Sequence, residues 1–230
     1  MSGCFLVEGE RAAGYILDYA GADVLEVLIS EEIQVNWSGP TRRLTEKQFR
    51  SISSRTTPTG VAAVVRIPAD VYTNTLPSRN TGNILLLEDV QDPGNVGTLL
   101  RSAAAFGFTG AILSPGCADP FGPKTVQATA GSILSLWLRR TPDYLELARR
   151  LKGHPFTLCA LDLRGDKRPE DLQREESTVL AIGNEARGIS PALLQLADKR
   201  IYISIRRRQA ESLNAAVSGA ICIYLLRRTD

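Results

Sequence analysis

From Asn83 onward, short apolar runs that do not alternate with polar residues are each followed by a segment with helical spacing. The runs are NILLLEDV, GAILS, FTLCALDL, TVLAIGN and RIYISI; the helical segments are VGTLLRSAAAFG, PKTVQATAGSIL, PDYLELARRLKG, SPALLQLA and SLNAAVSGAICIYLLRR. A strand that is apolar on both sides needs cover on both, and a helix after each strand supplies it. The pattern therefore predicts an α/β domain with a mainly parallel sheet. The first third reads differently. Val24 to Ser30 (VLEVLIS) and Val61 to Ile67 (VAAVVRI) are predicted strands, with a polar helix between them from Thr45 to about Ser54. Pro68 to Gly82, PADVYTNTLPSRNTG, carries no apolar period and reads as a linker. The predicted organisation is a small α/β domain over 1–67, a linker over 68–82 and a larger domain over 83–230, without an internal repeat.

Composition narrows the class. The chain has 230 residues, 43% hydrophobic and 23% charged, as an ordinary globular protein does. The longest apolar stretch, Leu213 to Leu226, is broken by Asn214 and Ser218 and falls short of the roughly 20 residues that span a membrane. Met1-Ser2-Gly3-Cys4 shows neither a basic nor an apolar export region. Cys4, Cys117, Cys159 and Cys222 lie far apart and form no C-x-x-C pair. The expectation is a soluble, cytoplasmic protein with no membrane partner and no metal.

A net charge of +2 does not by itself announce a polyanionic partner, but the distribution is uneven. Up to residue 79 there are 8 Lys+Arg against 9 Asp+Glu, and beyond it 19 against 16. The later basic residues cluster as Arg139-Arg140, Arg149-Arg150, Arg206-Arg207-Arg208 and Arg227-Arg228. Clusters, more than totals, hold phosphates. Solvated helix ends and turns are the plain reading for about two of the four.

Three segments stand where strands give way to helices: Asp92-Pro93-Gly94-Asn95-Val96-Gly97 running on to Arg101, Gly183-Asn184-Glu185-Ala186-Arg187-Gly188, and Ser212-Leu213-Asn214. Asn95 follows a Pro-Gly turn, where a helix N-cap is expected. In the helix after it Leu99, Ala103 and Phe106 form an apolar stripe, and Arg101, about 200° round from Leu99, points away from it. Taken alone these are a capping Asn and a solvated Arg. Gly183 ends an apolar strand, where the missing Cβ admits a ligand close to the backbone. Glu185 takes the place at which a dinucleotide loop carries Gly, so this is no GxGxxG site; alone it is a first-turn carboxylate favoured by the helix dipole. Ser212 is placed to cap the last helix, with Asn214 in its first turn.

In this order the three segments resemble the signatures of the SpoU (TrmH-like) RNA ribose methyltransferases. The likeness is strong from Asn83 to the end. FLVEGER and TTPTGVAAV in the first 67 residues further resemble the RNA-binding domain of the ribosomal branch. The resemblance implies a SPOUT-type sheet whose C-terminal segment is tucked into a trefoil knot, a rare topology. It implies transfer of a methyl group from S-adenosylmethionine to a ribose 2′-hydroxyl. It also implies a homodimer that completes its site at the subunit interface, with ribosomal RNA as substrate; transfer RNA, or a non-catalytic RNA-binding role in ribosome assembly, are the alternatives. The implied catalytic residues are Asn95, Arg101, Glu185, Ser212 and Asn214. Gly183, Ile203 and Leu213 are the implied cofactor contacts, largely through backbone. A guanidinium pKa above roughly 12 leaves little neutral Arg near pH 7. Arg101 therefore suits a fork that holds a phosphate and stabilises charge developing on the 2′-oxygen better than a general base.

The chain departs from the family pattern before SLN, where Ile203-Ser204-Ile205-Arg206-Arg207-Arg208-Gln209-Ala210-Glu211 lacks the usual Pro and Gly. Gln127 stands where many relatives carry Arg. Gly122-Pro123-Lys124-Thr125 has the wrong spacing for a phosphate loop, and Pro123 has no N–H to offer. His154, the one histidine, sits in a Gly-His-Pro turn and reads as structural. Cys159, inside FTLCAL, reads as core, which argues against a covalent base-methylation route.

Overall fold

The computed structural model describes residues 3–19, 22–31, 33–34, 37–78, 81–153, 155–172, 177–206, 209 and 211–227. His154, Arg207, Arg208 and Arg228 lie outside the described residues. A first sheet is built from β1 (Cys4–Glu8), β2 (Val24–Ser30), β3 (Thr41–Leu44) and β4 (Val61–Arg66) in the order β1-β4-β2-β3. In it β4 runs antiparallel to β1 and β2, whereas β2 and β3 are parallel. Helices α1 (Glu10–Asp18) and α2 (Glu46–Ile52) belong to this unit. α2 starts at Thr45 because Thr45 Oγ1 accepts from Gln48 N and Gln48 Oε1 accepts from Thr45 N, a reciprocal cap. The sequence pattern does not declare β1, α1 or β3. α1 buries only Ala13 and Ile16, and β3 (TRRL) is a mostly exposed edge strand.

The second sheet comprises β5 (Ile84–Leu87), β6 (Gly110–Leu113), β7 (Trp137–Arg140), β8 (Phe156–Leu161), β9 (Ser177–Ile182) and β10 (Lys199–Ile201), in the order β10-β8-β9-β5-β6-β7 with every pair parallel. β5, β6 and β9 are buried at each position, as their unbroken apolar runs predict. Helices α3 (Pro93–Ala105), α4 (Pro123–Thr129), α5 (Tyr144–Leu151), α6 (Pro191–Leu196) and α7 (Ala215–Leu226) alternate with the strands. Side chains leave successive strand residues on opposite faces. Leu85 and Leu87 accordingly join Leu99, Ile182 and Ile223 in one core, while Ile84 and Leu86 join Leu147, Val179 and Leu193 in the other. The first core continues into the small sheet through Phe5, Ala13 and Ile16. Phe5 meets Phe121 at 4.9 Å between ring centroids, and Tyr15 shares a hydrogen bond of 3.2 Å with Ser135.

The segment between the sheets is tied down along β7. Val71 is buried and its carbonyl accepts from Arg140 N at 2.8 Å. Arg139, only 3% exposed, donates to the Thr75 carbonyl and pairs with Asp70 at 2.7 Å. Arg150 donates to the Asn74 carbonyl, and Asn74 Nδ2 to Asp143. This covers a sheet edge that would otherwise present unpaired backbone groups. Arg139-Arg140 and Arg150 thus hold the chain itself, and Arg149 pairs with Glu146. RIYISI is shorter as a strand than its run suggests. After Ile201 the chain leaves the ladder, with Tyr202 N still donating to the Lys167 carbonyl at 2.9 Å.

Candidate active site

Leu87 and Ile182 are register partners at the ends of β5 and β9, so the loops that follow them emerge side by side. α7 returns over the same place. Gly219 makes that possible: an added Cβ would collide with Leu99 of α3 and Ile182 of β9. Three distant segments therefore meet beyond the carboxyl ends of parallel strands, where open α/β sheets place their ligands.

Asp92, not Asn95, caps α3: its Oδ1 accepts from Asn95 N at 2.8 Å, and Pro93 occupies the first turn, where no N–H is needed. Asn95 is thereby moved into the helix, with its side chain free for another task. Likewise Asn214, not Ser212, caps α7. Its Oδ1 accepts from Ala216 N at 2.8 Å and Val217 N at 3.2 Å. With that oxygen engaged, Nδ2 must serve as donor elsewhere, and it reaches Asn95 Oδ1 at 3.1 Å. Asn95 Nδ2 in turn donates to Glu185 Oε1 at 2.9 Å. The same carboxylate accepts from Gln91 N at 3.2 Å and Asp92 N at 3.3 Å. Both amides are oriented: one end is set by a helix start, the other by a group that only accepts. Burial pushes the Glu185 carboxyl up, but the hydrogen bonds from Asn95 and the backbone outweigh it and hold it below the ordinary 4.5.

Beside this chain lies a cleft of about 580 Å³, within the span of small-molecule sites of roughly 300–1,000 Å³. Its walls are the loops after β8, β9 and β10, with Gly183, Glu185, Ile203, Ser212 and Leu213 among them. Five predicted residues thus line one cleft, and Asn95 and Asn214 reach it through Glu185. Arg101 does not. It is exposed on α3, on the same stripe as Thr98 and Ala105, outside the cleft lining. Gly183 lines the cleft and meets a further requirement besides: a Cβ there would strike the Gly188 carbonyl and Ile189 N, so the glycine admits the chain's own returning loop.

Sequence reasoning overlooked Asn184 and Asp89. Asn184 Nδ2 donates to the Asp89 carbonyl at 2.8 Å, while its Oδ1 accepts from Ala186 N and Arg187 N, each at 3.0 Å. An Asn directly after a strand-ending Gly was the available signal. Asp89 holds a left-handed backbone at φ 54, which Asp tolerates better than most residues. Its carboxylate accepts from Ser114 Oγ at 2.6 Å and faces Arg187 at 3.6 Å. Cys159 is fully buried, in keeping with a core role. Among the described residues no group of three or more His, Cys, Asp or Glu is placed to hold a metal ion, and no helix is long and apolar enough to cross a membrane.

The large sheet, its three loops and a cleft at their junction define an α/β protein with a cleft of small-molecule size beside an oriented amide pair. The chain belongs to the SpoU rRNA methylase family, whose profile matches residues 82–224. It is 33% identical over 229 residues to the 23S rRNA (guanosine(2553)-2′-O)-methyltransferase RlmP of Bacillus subtilis (strain 168), covering 97% of this chain and 88% of that protein. It is 37% identical over 173 residues to the 23S rRNA (uridine(2479)-2′-O)-methyltransferase of Streptomyces viridochromogenes, covering 73% of this chain and 59% of that one. Among solved structures, the SpoU methyltransferase AviRb of Streptomyces viridochromogenes in complex with AdoMet superposes with a TM-score of 0.81 at 31% identity, covering 97% of this chain and 89% of that one.

Proposed function

We propose that this protein transfers a methyl group from S-adenosylmethionine to a ribose 2′-hydroxyl of ribosomal RNA. The observation that carries the reading is the hydrogen-bonded chain Asn214–Asn95–Glu185 at the cleft wall, assembled from the three family segments. The cleft suits the cofactor: Ile203, Leu194 and Leu213 offer apolar surface, and Gly183 to Ile189 offer backbone polar groups. S-adenosylmethionine, when bound, supplies the methyl group on a sulfonium. Glu185 holds Asn95, and Asn95 with Asn214 presents directed amide hydrogens to a ribose hydroxyl. Fixed dipoles of this kind need no reorganisation as charge develops on the 2′-oxygen.

Arg101 is exposed and outside the cleft of its own chain, and α7 exposes Val217 at 50% and Tyr224 at 46%. These features support a homodimer in which Arg101 of one protomer serves the site of the other. The C-terminal segment lines one cleft together with the loops after β8 and β9, and α7 packs back on α3. This supports the trefoil knot. The sheet of residues 4–66 is read as the RNA-binding domain, since RlmP matches across 97% of the chain and so across that unit. A cytoplasmic location is the reading that accords with an RNA substrate.

The test is direct. The purified protein is incubated with radiolabelled S-adenosylmethionine and ribosomal or transfer RNA, and the product is digested to nucleosides. Label on a 2′-O-methylated nucleoside from ribosomal RNA is expected. Label on a base, or in transfer RNA alone, overturns the proposal.

A further inference from the structure

Glu88 follows β5 directly and is 3% exposed. A buried carboxylate is tolerated only where its oxygens are paired. Here Oε1 accepts from Tyr144 Oη–H and Ser190 Oγ–H, both at 2.7 Å, and Oε2 accepts from Ser190 N at 2.6 Å. Among the described residues no cation pairs with it. Burial, and then the hydrogen bond to Glu88, push the Tyr144 phenol above its usual range.

Ser190 closes the loop that begins at Gly183. Its Oγ accepts from Leu193 N at 3.2 Å as the N-cap of α6, so the hydroxyl proton is left to point at Glu88. The loops after β5 and β9 therefore exchange carboxylates. Glu185 of the second grips Gln91, Asp92 and Asn95 of the first; Glu88 of the first grips Ser190 of the second. The stretch between those two grips carries Gly188 and Ile189 along the cleft, and Gly183 lies just before it. Its front anchor touches the amide pair, and its rear anchor touches nothing that would react.

We infer that Glu88 is a positioning residue for the cofactor, fixing the rear of the Gly183–Ser190 loop so that its backbone groups meet the ligand already in place. Preorganisation of this kind lowers what binding must spend on ordering a loop. Its loss falls on cofactor affinity and not on the transfer step, the opposite of what loss of Glu185 does. The inference rests on reading the cleft as the cofactor site.

Calorimetry with S-adenosylmethionine, alongside steady-state kinetics, tests it. In Glu88→Gln the amide oxygen retains the Tyr144 and Ser190 hydroxyls, and its NH2 faces Ser190 N–H, which loses its acceptor. Cofactor Kd should rise about 10- to 100-fold while kcat at saturating cofactor stays within about twofold. Ser190→Ala removes the other half of the grip, the Oγ–H bond to Oε1, together with the α6 cap, and should give a similar rise. Combined with Glu88→Gln it should raise Kd further, because one variant loses the bond from Ser190 N and the other the bond from Ser190 Oγ. Should Glu88→Gln fail to fold, Ser190→Ala with Tyr144→Phe carries the test. Wild-type protein that binds no cofactor defeats the reading of the cleft itself. Wild-type binding with both variants within twofold of it, or kcat lowered at unchanged Kd, overturns the role of Glu88 alone.

Discussion

Replacing Glu185 by Gln changes one charge and almost no volume. The carboxylate serves three donors: Asn95 Nδ2 and Asp92 N on Oε1, Gln91 N on Oε2. An amide has one accepting oxygen, and it keeps most by taking the Oε1 position. Its NH2 then meets Gln91 N–H, and that bond is lost. A hydrogen bond to a charged group contributes about 1.5–3 kcal/mol, and the retained pair weakens toward the neutral value of about 0.5–1.5. Glu185 is largely exposed, so water recovers part of this, leaving a deficit of roughly 1–2 kcal/mol. If that deficit falls on the orientation of Asn95 in the transition state, kcat drops about 5- to 30-fold with little change in cofactor KM. The sign of any pH effect is fixed as well. The folded pKa of Glu185 is depressed, so its stabilisation is present above the ordinary 4.5 and is lost as pH falls through the folded value. The stability difference between wild type and Glu185→Gln should therefore be constant from pH 6 to 8 and vanish in acid. Single-turnover assays with thermal melts across pH check both. Wild-type kcat in Glu185→Gln, or a loss confined to KM, would show that the Asn95 contact does not bear on transfer.

Arg101→Ala should lower turnover by about 10²-fold or more with cofactor affinity unchanged, and Arg101→Lys should rescue poorly because a point charge does not replace a planar fork. Mixing Arg101→Ala with Asn95→Ala protomers should restore activity that neither has alone; sedimentation that finds a fully active monomer at assay concentration refutes the shared site. Gly183→Ala sets a methyl group against backbone at Gly188 and Ile189, so it should lower Tm by several degrees, at about 2–4 °C per kcal/mol for a chain of this size, and abolish cofactor binding in calorimetry. Converting Arg206, Arg207 and Arg208 to Gln should raise the RNA KM and flatten the salt dependence of RNA binding by about one unit per lost phosphate contact. An unchanged slope with weakened cofactor binding would assign the run to the cleft instead.

The large sheet was legible because its strands are buried on both faces, and uninterrupted apolar runs such as Ile84–Leu87 have few other uses. β1 and α1 were not, because each is short and packs on neighbours distant in sequence, Phe121 and Ser135 among them, and β3 was not, because TRRL is a polar, mostly exposed edge strand. Arginine pairs show the same limit. Arg139 and Arg150 look like phosphate ligands in the sequence, yet their partners are Asp70, Thr75 and Asn74, 64 to 76 positions away. Helix starts were misplaced by two or three residues for a related reason. Asp92 and Asn95, or Ser212 and Asn214, are all capable caps, and only the tertiary fold decides which is used.

That decision matters for the chemistry more than its size suggests. Had Asn95 capped α3, its Oδ1 would be committed to backbone N–H groups and could not accept from Asn214. With Asp92 as the cap, Asn95 Oδ1 is available, and with Asn214 as the cap of α7, its Nδ2 is the donor that fills it. Two local choices of helix start therefore set the direction of a hydrogen-bond chain that Glu185 terminates. Reversing either amide would place donor against donor or acceptor against acceptor, which a carboxylate on one side and a helix start on the other forbid. The identities of the three residues can be read from the chain, whereas their directionality, on which any stabilisation of a developing oxyanion depends, follows from where α3 and α7 begin.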